Sequence, residues 1–185
     1  RINYGKVKIK GTKRFALATT VDDEDLTDGV ILQNGLKLMQ RLANQQKPFF
    51  LAVGFKKPHL PFVAPQKYWD LYKTSEIALE PFQQKARNAG NYGWHDGGEL
   101  RSYGEIPQSG ELSESLQKEV IHGYLACVSY VDVLVGRLIT ELEKLKLRKN
   151  TIIVLWGDHG FHLGDHGMWG KHSNLEQATR TPLII

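Results

Sequence analysis

Cysteine is almost absent from this chain, since Cys127 is the only one among 185 residues. A single thiol excludes an internal disulfide and a zinc site built from cysteines. The sequence also lacks a secretory signal peptide, an apolar segment long enough to span a membrane and an Asn-x-Ser/Thr glycosylation sequence. These absences do not fix the compartment, because many exported proteins also lack disulfides.

The chain also has little excess of either charge, because its 24 Lys and Arg residues nearly balance its 20 Asp and Glu residues, for a net charge of +4. No dense basic cluster with interleaved aromatic residues is present, so we predict no nucleic-acid partner and no membrane partner. The small positive excess is compatible with an anionic substrate. The chain begins without Met and stops in an apolar segment that predicts the start of a strand, so we expect the middle of a longer protein.

Two apolar patterns with helical spacing predict long helices, over residues 30–43 and residues 113–146. Cys127 falls in the apolar stripe of the second pattern, which favours a small buried hydrophobe over a nucleophile. A short helix is expected over residues 65–72. Residues 74–110 lack periodicity and are rich in Gly, Asn and Gln, so we interpret them as an irregular excursion near a functional site.

Two apolar runs, residues 49–55 and residues 151–156, predict strands that are buried on both faces. Their alternation with helices indicates an α/β sandwich. His59 follows the first run and Asp158 follows the second. Because parallel strands end at the same edge of a sheet, we expect these two side chains to lie near each other.

A polar segment follows the second run, and each of its residues has two interpretations. Asp158 and His159 are either a metal-ligand pair or a polar turn. Three imidazoles and two acids fall within nine positions here. The pattern does not favour His162 and His166 as metal ligands, and it favours substrate contact for Asp165 and His166. Lys171 is either a surface lysine or a point charge for bound oxyanions.

Three motifs resemble the sulfatase family, and within it the iduronate-2-sulfatase-like branch. They are KPHLPF at residues 57–62, YLACVSYVD at residues 124–132 and DHGFHLGDHGMWGKHSN at residues 158–174. The likeness covers residues 48–72 and 103–185 most strongly. It implies an alkaline-phosphatase-like α/β sandwich with a mostly parallel central sheet. It also implies hydrolysis of sulfate esters of a glycan.

Site roles follow from the resemblance alone. Asp158 and His159 match a pair of ligands to one calcium ion. His59 and Lys171 match catalytic residues that bind the sulfate group, His59 also facing the leaving group. Asp165 and His166 fall where this branch contacts sugar. A sulfated saccharide is the expected substrate. The expected location is periplasmic or extracellular in a bacterium and lysosomal in an animal.

The family's nucleophile motif, Cys-x-Pro-Ser-Arg or its Ser variant, is absent, because Cys127 is followed by Val128, Ser129 and Tyr130, with Ser129 and Tyr130 where the motif has Pro and Ser. In the family this Cys or Ser becomes formylglycine. We therefore expect the nucleophile upstream of Arg1, residues 1–185 to be one partial catalytic domain, and the isolated chain to be inactive. Two alternatives remain open: a two-metal phosphoryl hydrolase of the same superfold, and an inactive calcium-dependent glycan-binding module.

Overall fold

A computed structural model describes residues 14–45, 47–88, 90 and 93–185, together with the backbone of residues 3–4 and 7–8. The chain divides into two compact units. The first unit contains Arg1–Gly11, Leu17–Tyr72 and Gly123–Ile152. The second unit contains Thr12–Ala16, Lys73–His122 and Ile153–Ile185.

The first unit is built mainly on helices. In chain order, its elements are β1 (Asn3–Tyr4), β2 (Val7–Lys8), β3 (Ala16–Thr19), α1 (Thr27–Ala43), β4 (Phe62–Pro65), α2 (Gln66–Trp69) and α3 (Glu114–Lys144). Strands β1 and β2 form an antiparallel pair, and β3 pairs with β4. Residue 16 of β3 and the first nine residues of α3 belong to the second unit.

Both long helices that the sequence predicts are confirmed, with ends that differ by up to three residues. In α1 the buried side chains of Leu32 and Met39 lie on one face. In α3 the fully buried residues Cys127, Tyr130 and Leu134 recur at the same helical spacing, so the prediction of a buried thiol is also confirmed. The short predicted helix over residues 65–72 is shorter than expected, because α2 contains four residues.

The predicted strand over residues 49–55 is wrong, since the structure contains no strand there. The segment alternates between half-buried and exposed positions, and Phe50 is 88% exposed. A strand needs a neighbour that supplies ladder hydrogen bonds and layers that cover both faces. Within the described residues no segment pairs with residues 49–55. Apolar composition alone therefore does not produce a strand here.

The second unit consists of short elements joined by irregular chain. They are β5 (Leu155–Trp156), β6 (His162–Leu163), β7 (Trp169–Gly170), α4 (Glu176–Thr179) and β8 (Leu183–Ile184). The pairs β5–β8 and β6–β7 are both antiparallel, as is β1–β2, so these pairs do not form the mostly parallel central sheet that the resemblance implies. The prediction of a buried strand over residues 151–156 is wrong in extent and burial, because only β5 forms a ladder. Trp156 in β5 is 61% exposed. A strand is buried on both faces only where other layers cover both of them, and this exposure shows that such cover is incomplete here.

The segment between Lys73 and α3 contains 3₁₀ turns at Thr74–Glu76 and Leu100–Ser102, and residues 89, 91 and 92 of the predicted excursion lie outside the described residues. The buried side chain of Arg101 holds this irregular chain together. Its guanidinium donates to the backbone oxygens of Asp96, Pro107 and Gly110, each at 2.6 Å. These bonds satisfy carbonyl groups that no ladder pairs.

In the part of the chain that the structure describes, no helix combines the length and the apolar composition that crossing a bilayer requires.

Candidate active site

Asp158 and His159 lie in the turn after β5. The carboxylate of Asp158 is exposed, and its Oδ2 lies 3.6 Å from Nε2 of His159. The Nδ1 of His159 is 2.7 Å from the backbone oxygen of Gly160. Because a carbonyl oxygen only accepts hydrogen bonds, Nδ1 carries the proton and the neutral ring keeps a lone pair on Nε2. A carboxylate oxygen and an imidazole nitrogen, both possible metal ligands, therefore lie 3.6 Å apart.

The hairpin formed by β6 and β7 brings a second polar group together. His162 is fully buried, its Nδ1 contacts Oδ2 of Asp165, and its Nε2 lies 2.6 Å from Oγ of Ser173. Asp165 is also buried, and its other carboxylate oxygen accepts the backbone N–H of Leu163 at 3.2 Å. Both oxygens of Asp165 are thus occupied within the hairpin, and the prediction that Asp165 contacts substrate stays a prediction.

Lys171 follows β7 directly. Its side chain is 17% exposed, and its Nζ lies 4.0 Å from Oε2 of Glu99, which belongs to the irregular segment. Low exposure reduces solvent screening, so the ammonium acts on nearby anions more strongly than a surface lysine would. Glu99 was not singled out from the sequence, because an acid in an aperiodic segment carries no spacing signal.

His95 is a second residue that sequence reasoning did not select. Its ring lies 6.0 Å from the ring of His162 and 6.3 Å from that of His172, measured between centroids, and packs against the backbone of Gly170. Neither ring nitrogen has a protein hydrogen-bond partner among the described residues. Burial and then the neighbouring imidazoles lower the pKa of His95, because both disfavour its charged form.

His166 lies in the turn between β6 and β7, in a left-handed conformation with φ of 54°. Its backbone oxygen accepts the indole N–H of Trp94 at 3.0 Å, and its own N–H donates to the backbone oxygen of Phe82 at 2.7 Å. These residues border a cleft of about 960 Å³, whose lining also includes Lys85 and Trp169. A polar cleft with tryptophans in its lining suits a sugar, although the cleft does not include Asp158 or Lys171.

His59 belongs to the first unit and is exposed, with Nδ1 2.7 Å from the backbone oxygen of Leu60. Its loop is fixed by Asp28, a buried residue of α1 whose two carboxylate oxygens accept the backbone N–H groups of Lys56 and Lys57, both at 2.9 Å. The ammonium of Lys57 donates to the backbone oxygens of His59 (2.9 Å) and Pro61 (2.6 Å). Burial lowers the pKa of this ammonium.

The predicted site residues therefore fall into four groups. Asp158 and His159 share one turn, Asp165 and Lys171 belong to the hairpin and its continuation, and His166 faces the cleft. His59 lies in the other compact unit. The contact between Ser173 and His162 could not be predicted from the sequence, because it depends on the pairing of β6 with β7.

The donor set of Asp158 and His159 fits a cation in part. Calcium takes six to eight oxygen-rich ligands, and a carboxylate oxygen meets that preference better than an imidazole nitrogen. Within the described ranges no group of three or more His, Cys, Asp or Glu side chains could hold a metal ion. Asp158 and His159 could therefore supply only part of a coordination shell.

An acid–imidazole pair and a half-buried lysine each follow a short strand of the chain, and these are the kinds of side chain that bind a cation and a tetrahedral oxyanion. The chain belongs to the sulfatase family, because residues 5–185 match the family model for sulfatases. This family implies a metal ion and a formylglycine in general.

Curated relatives give the same result. The mouse iduronate 2-sulfatase is 33% identical over 180 residues, which cover 91% of this chain and 33% of that protein. A sulfatase from Formosa agariphila is 42% identical over 147 residues, which cover 77% of this chain and 28% of that protein. The chain thus spans about a third of the length of the curated relatives it matches, 33% and 28% in these two cases.

Solved structures confirm the predicted α/β fold of the alkaline-phosphatase-like type. The phosphonate monoester hydrolase SpPMH from Silicibacter pomeroyi superposes with a TM-score of 0.73 at 24% identity. The alignment covers 98% of this chain and 37% of that structure. At this identity the likeness concerns the fold alone.

Proposed function

We propose that the full-length protein containing this chain is a sulfuric ester hydrolase that acts on a sulfated glycan, with 2-O-sulfated uronic acid as the expected sugar. The observation that carries this proposal is the family membership of residues 5–185. For a protein that acts on such a substrate, we expect an exported location in a bacterium or a lysosomal location in an animal.

Lys171 is the residue we assign to the sulfate oxygens. A sulfate ester is an anion, and its leaving oxygen gains further negative charge as the S–O bond breaks. A preorganised ammonium directed at those oxygens lowers the barrier, because it stabilises charge without reorganising solvent. The low exposure of the Lys171 side chain supports this role.

His59 is assigned to the sulfate and leaving-group side. Nδ1 of His59 lies 2.7 Å from the backbone oxygen of Leu60, and because a carbonyl oxygen only accepts hydrogen bonds, Nδ1 carries a proton. The Nε2 of a neutral ring with this tautomer accepts a proton, whereas that of the imidazolium donates one. His59 would therefore protonate the leaving oxygen only from its charged form.

Calcium is the metal ion we assign to this site, with Asp158 and His159 as two of its ligands. When bound, a divalent cation offsets negative charge on the sulfate and orients the nucleophile. Asp158 Oδ2 is the better calcium ligand of the two, and His159 Nε2 lies 3.6 Å from it. The formylglycine is expected in a part of the protein outside residues 1–185. Of the two residues expected to contact the sugar, we assign His166 to that role, because both carboxylate oxygens of Asp165 are occupied within the hairpin.

A phosphoryl hydrolase is the second candidate, because the chain shares its fold with a phosphonate monoester hydrolase. Fold does not decide between sulfate and phosphate esters, since one superfold hosts both chemistries.

The experiment compares substrates on the full-length protein. The kcat/KM is measured for a 2-O-sulfated uronate disaccharide, an aryl sulfate, an aryl phosphate and a phosphonate monoester, and the metal content is determined by elemental analysis. We expect the sulfate esters to be preferred and calcium to be the bound ion. Preference for the phosphorus esters with stoichiometric zinc would establish the second candidate. Calcium-dependent glycan binding without any turnover would identify an inactive binding module.

A further inference from the structure

We propose that Asp165, His162 and Ser173 form a hydrogen-bonded chain that positions Lys171 for the sulfate group. The proposal rests on the proposed function of Lys171 and deepens it. Nδ1 of His162 contacts the Asp165 carboxylate, and Nε2 lies 2.6 Å from Oγ of Ser173. Ser173 is two residues from Lys171 and half-buried.

The direction of each hydrogen bond in this chain follows from its partners. The Asp165 carboxylate accepts, so Nδ1 of His162 carries a proton, and in the neutral ring Nε2 accepts the hydroxyl hydrogen of Ser173. The Ser173 oxygen in turn accepts the backbone N–H of Leu175 at 3.2 Å. Each polar group therefore has a defined role, and the hydroxyl of Ser173 has one orientation.

Lys171 is held between two anchors. Before it, Gly170 pairs with His162 in the register of β6 and β7. After it, the backbone N–H of Ser173 donates to the backbone oxygen of Lys171 at 2.9 Å. Because His162 pairs with Gly170 and its imidazole contacts the hydroxyl of Ser173, both anchors connect the backbone of Lys171 to one buried residue.

A lysine needs such support more than an arginine does. Its ammonium is a compact charge on a flexible four-carbon stem, so the direction of the charge depends on the backbone that carries it. Around metal sites, mutating a residue that orients a ligand through a hydrogen bond lowers affinity or activity about 10- to 100-fold, and we expect an effect of that size here. This account gives Asp165 a positioning role, since both of its carboxylate oxygens are occupied inside the hairpin.

The arrangement also resembles a Ser–His–Asp relay, in which the serine attacks a substrate. A nucleophile must reach its substrate together with its general base, and His162 is fully buried. We therefore assign Ser173 to support. Covalent modification of Ser173 by diisopropyl fluorophosphate in the native protein would overturn this assignment.

The test is a double-mutant cycle on the full-length protein. Ser173→Ala is measured alone and in the Lys171→Ala background, with Ser173→Thr as the conservative variant and Asn174→Ala, an exposed neighbour, as the control. We expect Ser173→Ala to lower kcat/KM for an aryl sulfate about 10- to 100-fold, as for comparable supporting residues. In the Lys171→Ala background the same change should lower it less than about twofold, because the two effects are coupled. Ser173→Thr should recover most of the activity.

Binding of inorganic sulfate, followed by calorimetry, provides a readout that needs no turnover. With Lys171 present, Ser173→Ala should weaken the binding of sulfate. In the Lys171→Ala background, the same substitution should leave sulfate binding unchanged. Equal losses in both backgrounds would mean that Ser173 supports the fold generally, and the proposal would be wrong. A wild-type protein that binds sulfate but cleaves no sulfate ester would reject the proposed function, while the binding cycle would still decide the role of Ser173.

Discussion

The carboxylate of Asp28 on α1 accepts the backbone N–H of Lys57 at 2.9 Å, and this bond ties a helix to the loop that carries His59. A second bond from the N–H of Lys56 has the same length. A short buried side chain, 28 and 29 residues away in sequence, therefore takes the place of ladder hydrogen bonds for this part of the loop.

Replacing Asp28 by Ala should lower the free energy of unfolding by about 2–4 kcal/mol, because two N–H donors lose a charged acceptor. Asp28→Asn should cost less, since its one oxygen can still accept. The measurement is urea denaturation of the full-length protein. Asp70→Ala, at an exposed carboxylate, serves as the control and should change stability by less than about 0.5 kcal/mol. Equal stability of Asp28→Ala and wild type would show that the loop does not depend on Asp28.

Two glycines of α3 should respond in opposite directions to alanine. A Cβ at Gly123 would lie 2.9 Å from Cβ of Phe62 and 3.0 Å from Trp69, whereas a Cβ at Gly136 meets nothing within 4 Å. We expect Gly123→Ala to destabilise the protein by about 1–3 kcal/mol through overpacking. Gly136→Ala should stabilise it by about 0.5–1 kcal/mol, because alanine is the better helix former. Thermal unfolding of both variants checks the pair, and a stabilised Gly123→Ala would refute the close packing of α3 on β4.

His95 should make stability depend on pH. Its pKa is lowered in the folded state, mainly by burial and then by His162 and His172, so the folded protein binds fewer protons than the unfolded chain. Stability contributed by this site is therefore complete above the unfolded pKa of about 6.5 and falls as the pH drops toward the lower folded value. His95→Leu should flatten the stability curve in that window. An unchanged slope in denaturation measured from pH 7.5 to pH 5 would count against this environment.

Cys127 should be unreactive in the native protein. Burial raises the pKa of its thiol to about 12, and the side chain is fully buried in α3. Because the thiolate is the reactive form, iodoacetamide should leave Cys127 unmodified in the native state and label it in denaturant, as mapped by mass spectrometry. Rapid native labelling would mean that α3 does not shield the thiol.

The helices were predictable from sequence, whereas the strands were not. The apolar spacing of Leu32 and Met39, and of Cys127 and Leu134, contains the information for α1 and α3, because helical hydrogen bonds are local. The run at residues 49–55 has strand composition, yet a strand exists only where another segment pairs with it. Composition does not report such a partner.

The site was predictable in its chemistry and only partly in its geometry. The sequence led to Asp158, His159 and Lys171 as a group, and Asp158 and His159 do share one turn. It missed the contact of His162 with Ser173, which requires the hairpin register and the left-handed backbone of Gly164 at φ of 109°. It also missed His95 and Glu99, because contacts between an aperiodic segment and a hairpin leave no pattern in either.

The most direct measurement is the kcat/KM of the full-length protein for a 2-O-sulfated uronate disaccharide, compared with that of Lys171→Ala. The account predicts measurable sulfate release by the wild type and a loss of about 100- to 1000-fold in the variant, as when one preorganised donor to a developing oxyanion is removed. Equal activity of the two proteins would contradict the assignment of this ammonium to the sulfate oxygens.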